Sequence, residues 1–129
     1  MKGTLRAIAL TTTLLGCQAA VWSQTINIRG LVELSGSGAT AGTNYNNGVK
    51  LAVAEINAAG GILGRKINYL PEDTQTNPGV AKSLAAKAID EDVPLVMGPV
   101  YSGSILVSMA ETRRAGIPNM IGGEAAAIT

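Results

Sequence analysis

Histidine and phenylalanine are absent from the 129 residues, cysteine occurs once, and aromatic residues make up only 3% of the chain. Each shortage closes a class of function. Without histidine there is no Ser-His-Asp or Cys-His nucleophile and no histidine-bearing zinc site. Cys17 is the only thiol, so no disulfide closes within one chain and stability has to come from the core. With these gaps an enzyme is the less favoured class, and no catalytic residue, metal or cofactor is expected. Charge is equally sparse, with ten Lys and Arg against nine Asp and Glu. There is no basic patch, and nucleic acid is not an expected partner.

The first two dozen residues read as an address. Lys2 and Arg6 form a positive start, residues 7–16 are an apolar run too short to span a bilayer, and small residues follow. That is the layout of a secretory signal peptide. Two processing readings stand side by side. A cut near Ser23 makes residues 1–23 the signal and Gln24 the new N-terminus. Alternatively, Leu14-Leu15-Gly16-Cys17 is a lipobox, and Cys17 is lipidated and held at a membrane. Both take the chain out of the cytoplasm. Removal of residues 1–23 takes Lys2 and Arg6 with it, leaving eight bases against nine acids and a net charge of −1. Residues 24–129 then form about one domain, long enough to close a small core.

Within that domain the hydrophobic pattern alternates between strand and helix periods. Residues 26–32 alternate apolar and polar side chains and predict a strand. Residues 33–42 are a Gly/Ser/Thr loop. Val49, Ala52, Val53 and Ile56 recur at helical spacing and predict one inward face of a helix ending near Ala59, where residues 57–61 supply the glycine stop. Residues 66–70 predict a second strand, stopped by Pro71. Asn77-Pro78 opens a helix over residues 79–91, with Ala81, Leu84, Ala85 and Ala88 facing inward. Residues 94–97 predict a third strand, ended by Gly98-Pro99. A helix over residues 102–115 carries Ile105, Leu106 and Met109 on one side and Arg113 and Arg114 in its last turn, where cations suit the helix dipole. Gly116 ends it, and residues 117–121 predict a fourth strand.

Four strands alternating with three helices imply an α/β fold, a doubly wound parallel sheet in the order 2-1-3-4. Ligands of such sheets sit beyond the carboxyl ends of the strands, where the strand order reverses. The loops there are residues 33–41, 98–104 and 121–125, all rich in Gly, Ser or Thr, which predicts a small-molecule site. Ser35 and its neighbours up to Gly42 present hydroxyls and bare amides at a helix start, a place suited to an anion. Gly36, Gly38 and Ala41 also fit G-x-G-x-x-A, but no acid stands near Leu63, about 20 positions on, as a dinucleotide site needs. Ser102 reads either as a plain helix cap or as a cap whose hydroxyl faces the cleft. Glu72 and Asp73 are adjacent and diverge, so they do not form a general acid–base pair. Asp90, Glu91 and Asp92 read as a solvated helix end.

One phrase is more specific. Residues 55–67 read EINAAGGILGRKI, which resembles a near-signature of the type I periplasmic solute-binding proteins, the leucine/isoleucine/valine-binding group. Gly98-Pro99 with Ser102, and Ala115-Gly116-Ile117-Pro118, extend the resemblance across residues 26–129. It implies a two-lobed clamshell that closes on an amino acid or amide and delivers it to an ABC permease from the periplasm. Residues 24–129 would form part of the N-terminal lobe, with the second lobe missing. By the same resemblance Ser102 contacts a ligand carboxylate, Tyr101 lines or lids the pocket, and Gly122, Gly123 and Glu124 complete the clamp. Ala41 stands where relatives often place an aromatic residue, which implies a wider pocket. Glu124 departs from the usual Thr, Ser or small residue and would repel a carboxylate and welcome a cation or an amide, unless it points to solvent. A receptor domain sensing amino acids or amides, and a truncated chain without binding activity, are the other functions compatible with these residues.

Overall fold

The computed structural model describes residues 25–128, so the signal-peptide boundary and Cys17 lie outside the described residues. Strand β1 (Ile26–Val32) leads into α1 (Ala39–Ala58), β2 (Ile67–Asp73), α2 (Pro78–Asp90), β3 (Val96–Met97), α3 (Ser102–Ala115), β4 (Asn119–Met120) and a 3-10 turn, Ala126–Ile128. The four strands form one parallel sheet in the order β2-β1-β3-β4. The expected topology is therefore observed.

Pairing of β1 with β2 runs from Ile26 opposite Ile67 to Val32 opposite Asp73. The second strand passes through Pro71 instead of stopping there. β2 is an edge strand paired only with β1, so a residue without an N–H is tolerated on its free side. By contrast, β3 and β4 pair over two residues each and are shorter than the apolar runs that predict them.

Alternation along the strands sorts the two faces. Leu31 and Val96 point to one side and meet Ala85, Ala88 and Val93, with Leu84 and Ile117 packed against this core. Burying such side chains contributes about 1.5–3 kcal/mol each for the larger ones. Helix α2 has the expected inward face, and Asn77 caps it by accepting from the amides of Gly79 (2.8 Å) and Val80 (3.3 Å). In α3 the buried face is Ser104, Ile105, Ser108 and Thr112, not Ile105, Leu106 and Met109, and Leu106 is exposed. Ser108 and Thr112 satisfy their hydroxyls on carbonyls of the preceding turn, whereas the buried Ser104 hydroxyl has no partner among the described residues. Gly116 closes α3 with a left-handed φ of 73°, a conformation that costs glycine little.

Among the described residues the other face carries only α1. Its buried residues are Gly42 and Asn46, whereas Val49, Ala52, Val53 and Ile56, the expected inward stripe, line an apolar groove of 510 Å³ shared with Ile28, Ile67, Tyr69, Leu95 and Met97. Ile56 is 38% exposed. The periodicity identifies the right face, but one helix cannot cover a four-stranded sheet. Beside the groove, the turn after α1 leaves Leu63 96% exposed.

Two polar clamps tie the layers. Arg29 of β1 donates to Glu72 (3.1 Å) and, through two nitrogens, to Glu91 (2.5 and 2.6 Å). Glu91 is therefore an ion-pair partner, correcting the reading of residues 90–92 as merely solvated. Tyr69 donates from β2 to Asn46 of α1 at 3.1 Å.

Candidate functional site

Three loops meet at the carboxyl ends of the strands. The loop after β1 begins with Glu33, which is fully buried. Its carboxylate accepts hydrogen bonds from the backbone amides of Val100 (3.1 Å) and Tyr101 (3.2 Å). Glu33 thus fixes the entrance of α3 from below, and two glycines leave room for it. A Cβ on Gly42 would run into the Glu33 carbonyl, and one on Gly38 would press on its Cγ. From the opposite side Tyr45 of α1 donates to the Met120 carbonyl (2.9 Å) and accepts from the Gly98 amide (3.1 Å). Burial raises the pKa of its hydroxyl, the Gly98 amide partly opposing that, so Tyr45 stays a neutral two-way link between the loops after β3 and β4.

Between these supports lies a cleft of 370 Å³, lined by Ala41, Val100, Tyr101, Ser102, Gly103, Gly122, Gly123 and Glu124. Six of the seven expected site residues are brought together here: Ala41, Tyr101, Ser102, Gly122, Gly123 and Glu124. Ser35 is not among them. Its hydroxyl donates to Asp73 at 2.6 Å and its amide to the same carboxylate at 3.1 Å. Leu34 and Gln75 add their amides, both at 2.8 Å. Burial alone would raise the Asp73 carboxyl, but the Ser35 hydroxyl and the three amides outweigh it and hold it below the usual carboxylate range. The Gly38 amide goes to the Thr76 hydroxyl. The β1–α1 loop therefore spends these donors inside the fold, which removes the basis for a phosphate cradle.

Ser102 does not cap α3. Tyr101 holds the N-cap position without a side-chain bond, and Ser102 is the first helical residue. Its hydroxyl, and the amides of Ser102, Gly103 and Ser104, have no protein acceptor among the described residues, while the Ile105 amide already bonds to Tyr101. Free amides at a helix start favour an anion there. Tyr101 is 47% exposed at the rim. On the far wall a Cβ on Gly123 would press on the terminal methyls of Ile105 and Ile128, which would have to shift to admit it. The apolar groove under α1 is larger, but it lies beside the N-terminal halves of β1 and β2 and gathers few polar groups, so the smaller cleft is the better candidate.

Residues 25–128 match the family described as periplasmic binding protein. The chain belongs to that family. A Leu/Ile/Val-binding protein of Rhizobium johnstonii is 38% identical over 78 residues, which is 60% of this chain and 21% of the relative. A chemotactic signal transduction system substrate-binding protein of Halobacterium salinarum is 34% identical over 83 residues, 62% of this chain and 20% of the relative. Among solved structures, the branched-chain amino acid transporter substrate binding protein of Streptococcus pneumoniae, in complex with isoleucine, superposes with a TM-score of 0.78 at 34% identity. That match covers 81% of this chain and 31% of the other. The chain thus spans between a fifth and a third of the length of these relatives.

Sequence reasoning missed Glu33 and Tyr45. Both had a faint signal: a lone acid closing an apolar strand, and a tyrosine one turn before the helical stripe at Val49. Neither pattern names its partner, because the partners are backbone groups more than 50 residues away.

Proposed function

We propose that this chain is the first-lobe portion of an extracytoplasmic solute-binding component that hands an amino acid or a related amide to an ABC permease in the inner membrane. The observation that carries this reading is the cluster of donors at the start of α3. The Ser102 hydroxyl and the amides of residues 102–104 have no protein acceptor among the described residues, Ser102 and Gly103 line the cleft, and a ligand carboxylate there would receive charge-assisted hydrogen bonds. Across the cleft, the carbonyl of Gly122 is the acceptor for an ammonium group. Tyr101 forms a wall at the rim, and Ala41 leaves space for a side chain. The relatives named for Leu, Ile and Val, and the neighbour holding isoleucine, support the same ligand class. The task is capture and release. It needs no proton transfer, and the cleft gathers no acid–base pair.

Titration of the isotope-labelled chain with isoleucine, leucine, valine and short amides tests this by NMR. Shifts are expected at residues 101–104 and 122–124, and Ser102→Ala should weaken binding by about tenfold, the worth of one hydrogen bond to a charged group. Shifts confined to the groove under α1, or no saturable response, would refute the proposal. A second reading, a sensory receptor domain, is favoured by the similarity to the chemotactic substrate-binding protein. It shares the same site and differs in the partner, so uptake into vesicles bearing a permease separates the two.

A further inference from the structure

The cleft is electrically lopsided. Its α3 side carries no acidic or basic side chain and offers the Ser102 hydroxyl and free backbone amides as donors, and its β4 side carries Glu124, the single acidic residue in the lining. Glu124 is exposed and makes no hydrogen bond or ion pair among the described residues. Among the described residues no lysine or arginine lines the cleft, so none of them neutralises the carboxylate there. The other nearby acid, Glu33, is already committed to the amides of Val100 and Tyr101. We infer that Glu124 is a specificity-determining residue, selecting ligands that carry a cationic group in addition to their carboxylate.

This rests on the proposed function, since it takes the ligand carboxylate to sit at the start of α3. With the carboxylate at the start of α3 and the α-ammonium at the Gly122 carbonyl, the ligand side chain lies on the Ala41 side of a cleft that Glu124 also lines. There a second ammonium or a guanidinium meets an unpaired carboxylate, an aliphatic side chain meets a charge it cannot satisfy, and a second carboxylate meets one of its own sign. The ranking is diamino acid over aliphatic amino acid over dicarboxylic amino acid. Glu124 is open to water, so the discrimination is that of a partly solvated pair, about threefold to fivefold, and it shrinks as salt screens the charges.

The test titrates the full chain with lysine, leucine and glutamate by NMR, at low and at high sodium chloride, and repeats the series with Glu124→Gln. Lysine is expected to bind about fivefold tighter than leucine at low salt, with glutamate weakest. In Glu124→Gln the lysine-to-leucine ratio should fall to about one, and high salt should narrow it in the unmodified chain. Equal binding of lysine and leucine by the unmodified chain, or a preference for lysine that survives Glu124→Gln, would overturn the inference and leave the proposed function standing. If none of the three ligands perturbs residues 101–104 and 122–124, the proposed function fails, and the inference fails with it.

Discussion

Replacing Glu33 with alanine tests how the cleft is supported. The carboxylate is fully buried, and its partners are the amides of Val100 and Tyr101. Removing it strands two donors, at about 1–3 kcal/mol for each one that water does not reach. The lost methylenes leave a void that adds about 1 kcal/mol. Against this, a carboxylate without a cationic partner no longer has to be kept from water, which returns part of the loss. The stranded amides win, and the net destabilisation is about 3 kcal/mol. That is a large share of the roughly 5–15 kcal/mol that holds a typical domain together. Glu33→Gln keeps the shape and one acceptor but turns an NH₂ toward the other amide, so it should cost about 1–2 kcal/mol. Urea unfolding gives the two values. Hydrogen exchange at Val100 and Tyr101 shows whether the loss is local, and both amides should exchange faster in each variant. Stability of Glu33→Ala within about 0.5 kcal/mol of the parent, with unchanged exchange at these amides, would refute the reasoning: water would then be satisfying them, and the α3 entrance would stand without Glu33.

Two further predictions concern the same scaffold. Gly42→Ala should cost about 3 kcal/mol by overpacking, because its Cβ would run into the Glu33 backbone, whereas at Gly48, where a Cβ meets nothing, Gly48→Ala should gain about 0.5–1 kcal/mol in helix propensity; thermal melts of the pair check both signs. Tyr69 gives an alkaline limit. Burial, with the Tyr45 phenol adding to it, pushes its hydroxyl up to about 12, against about 10 in an unfolded chain. The raised value favours the neutral phenol in the fold, so its contribution is complete below about pH 10 and lost as the pH climbs to about 12. Tyr69→Phe should flatten that decline, followed by urea midpoints from neutral to alkaline pH. An unchanged slope would mean that Tyr69 does not carry it.

The local alphabet of this fold was legible from residues alone wherever a short-range rule decides. Asn77-Pro78 opens α2 because the cap amides lie two and three residues on, and Gly116 ends α3 because glycine adopts a left-handed φ. The order of the strands follows from four strand patterns separated by helices, because right-handed crossovers leave few other arrangements. Six of the seven residues expected at the site also line one cleft, since a switch point gathers its loops whatever their side chains. The sequence could not locate the partners of isolated polar residues. Ser35 resembled a ligand group until Asp73, 38 residues away, took its hydroxyl, and Glu33 looked like the start of a loop until it proved to hold the entrance of α3. Helical periodicity likewise marked the apolar stripe of α1 but not whether anything lies against it. The Asn77 cap, the Gly116 stop and the strand order are set by contacts close in the chain or by handedness, and the sequence determined them by itself. Burial and polar pairing depend on which distant segments arrive at the same place, and only the tertiary structure decided those.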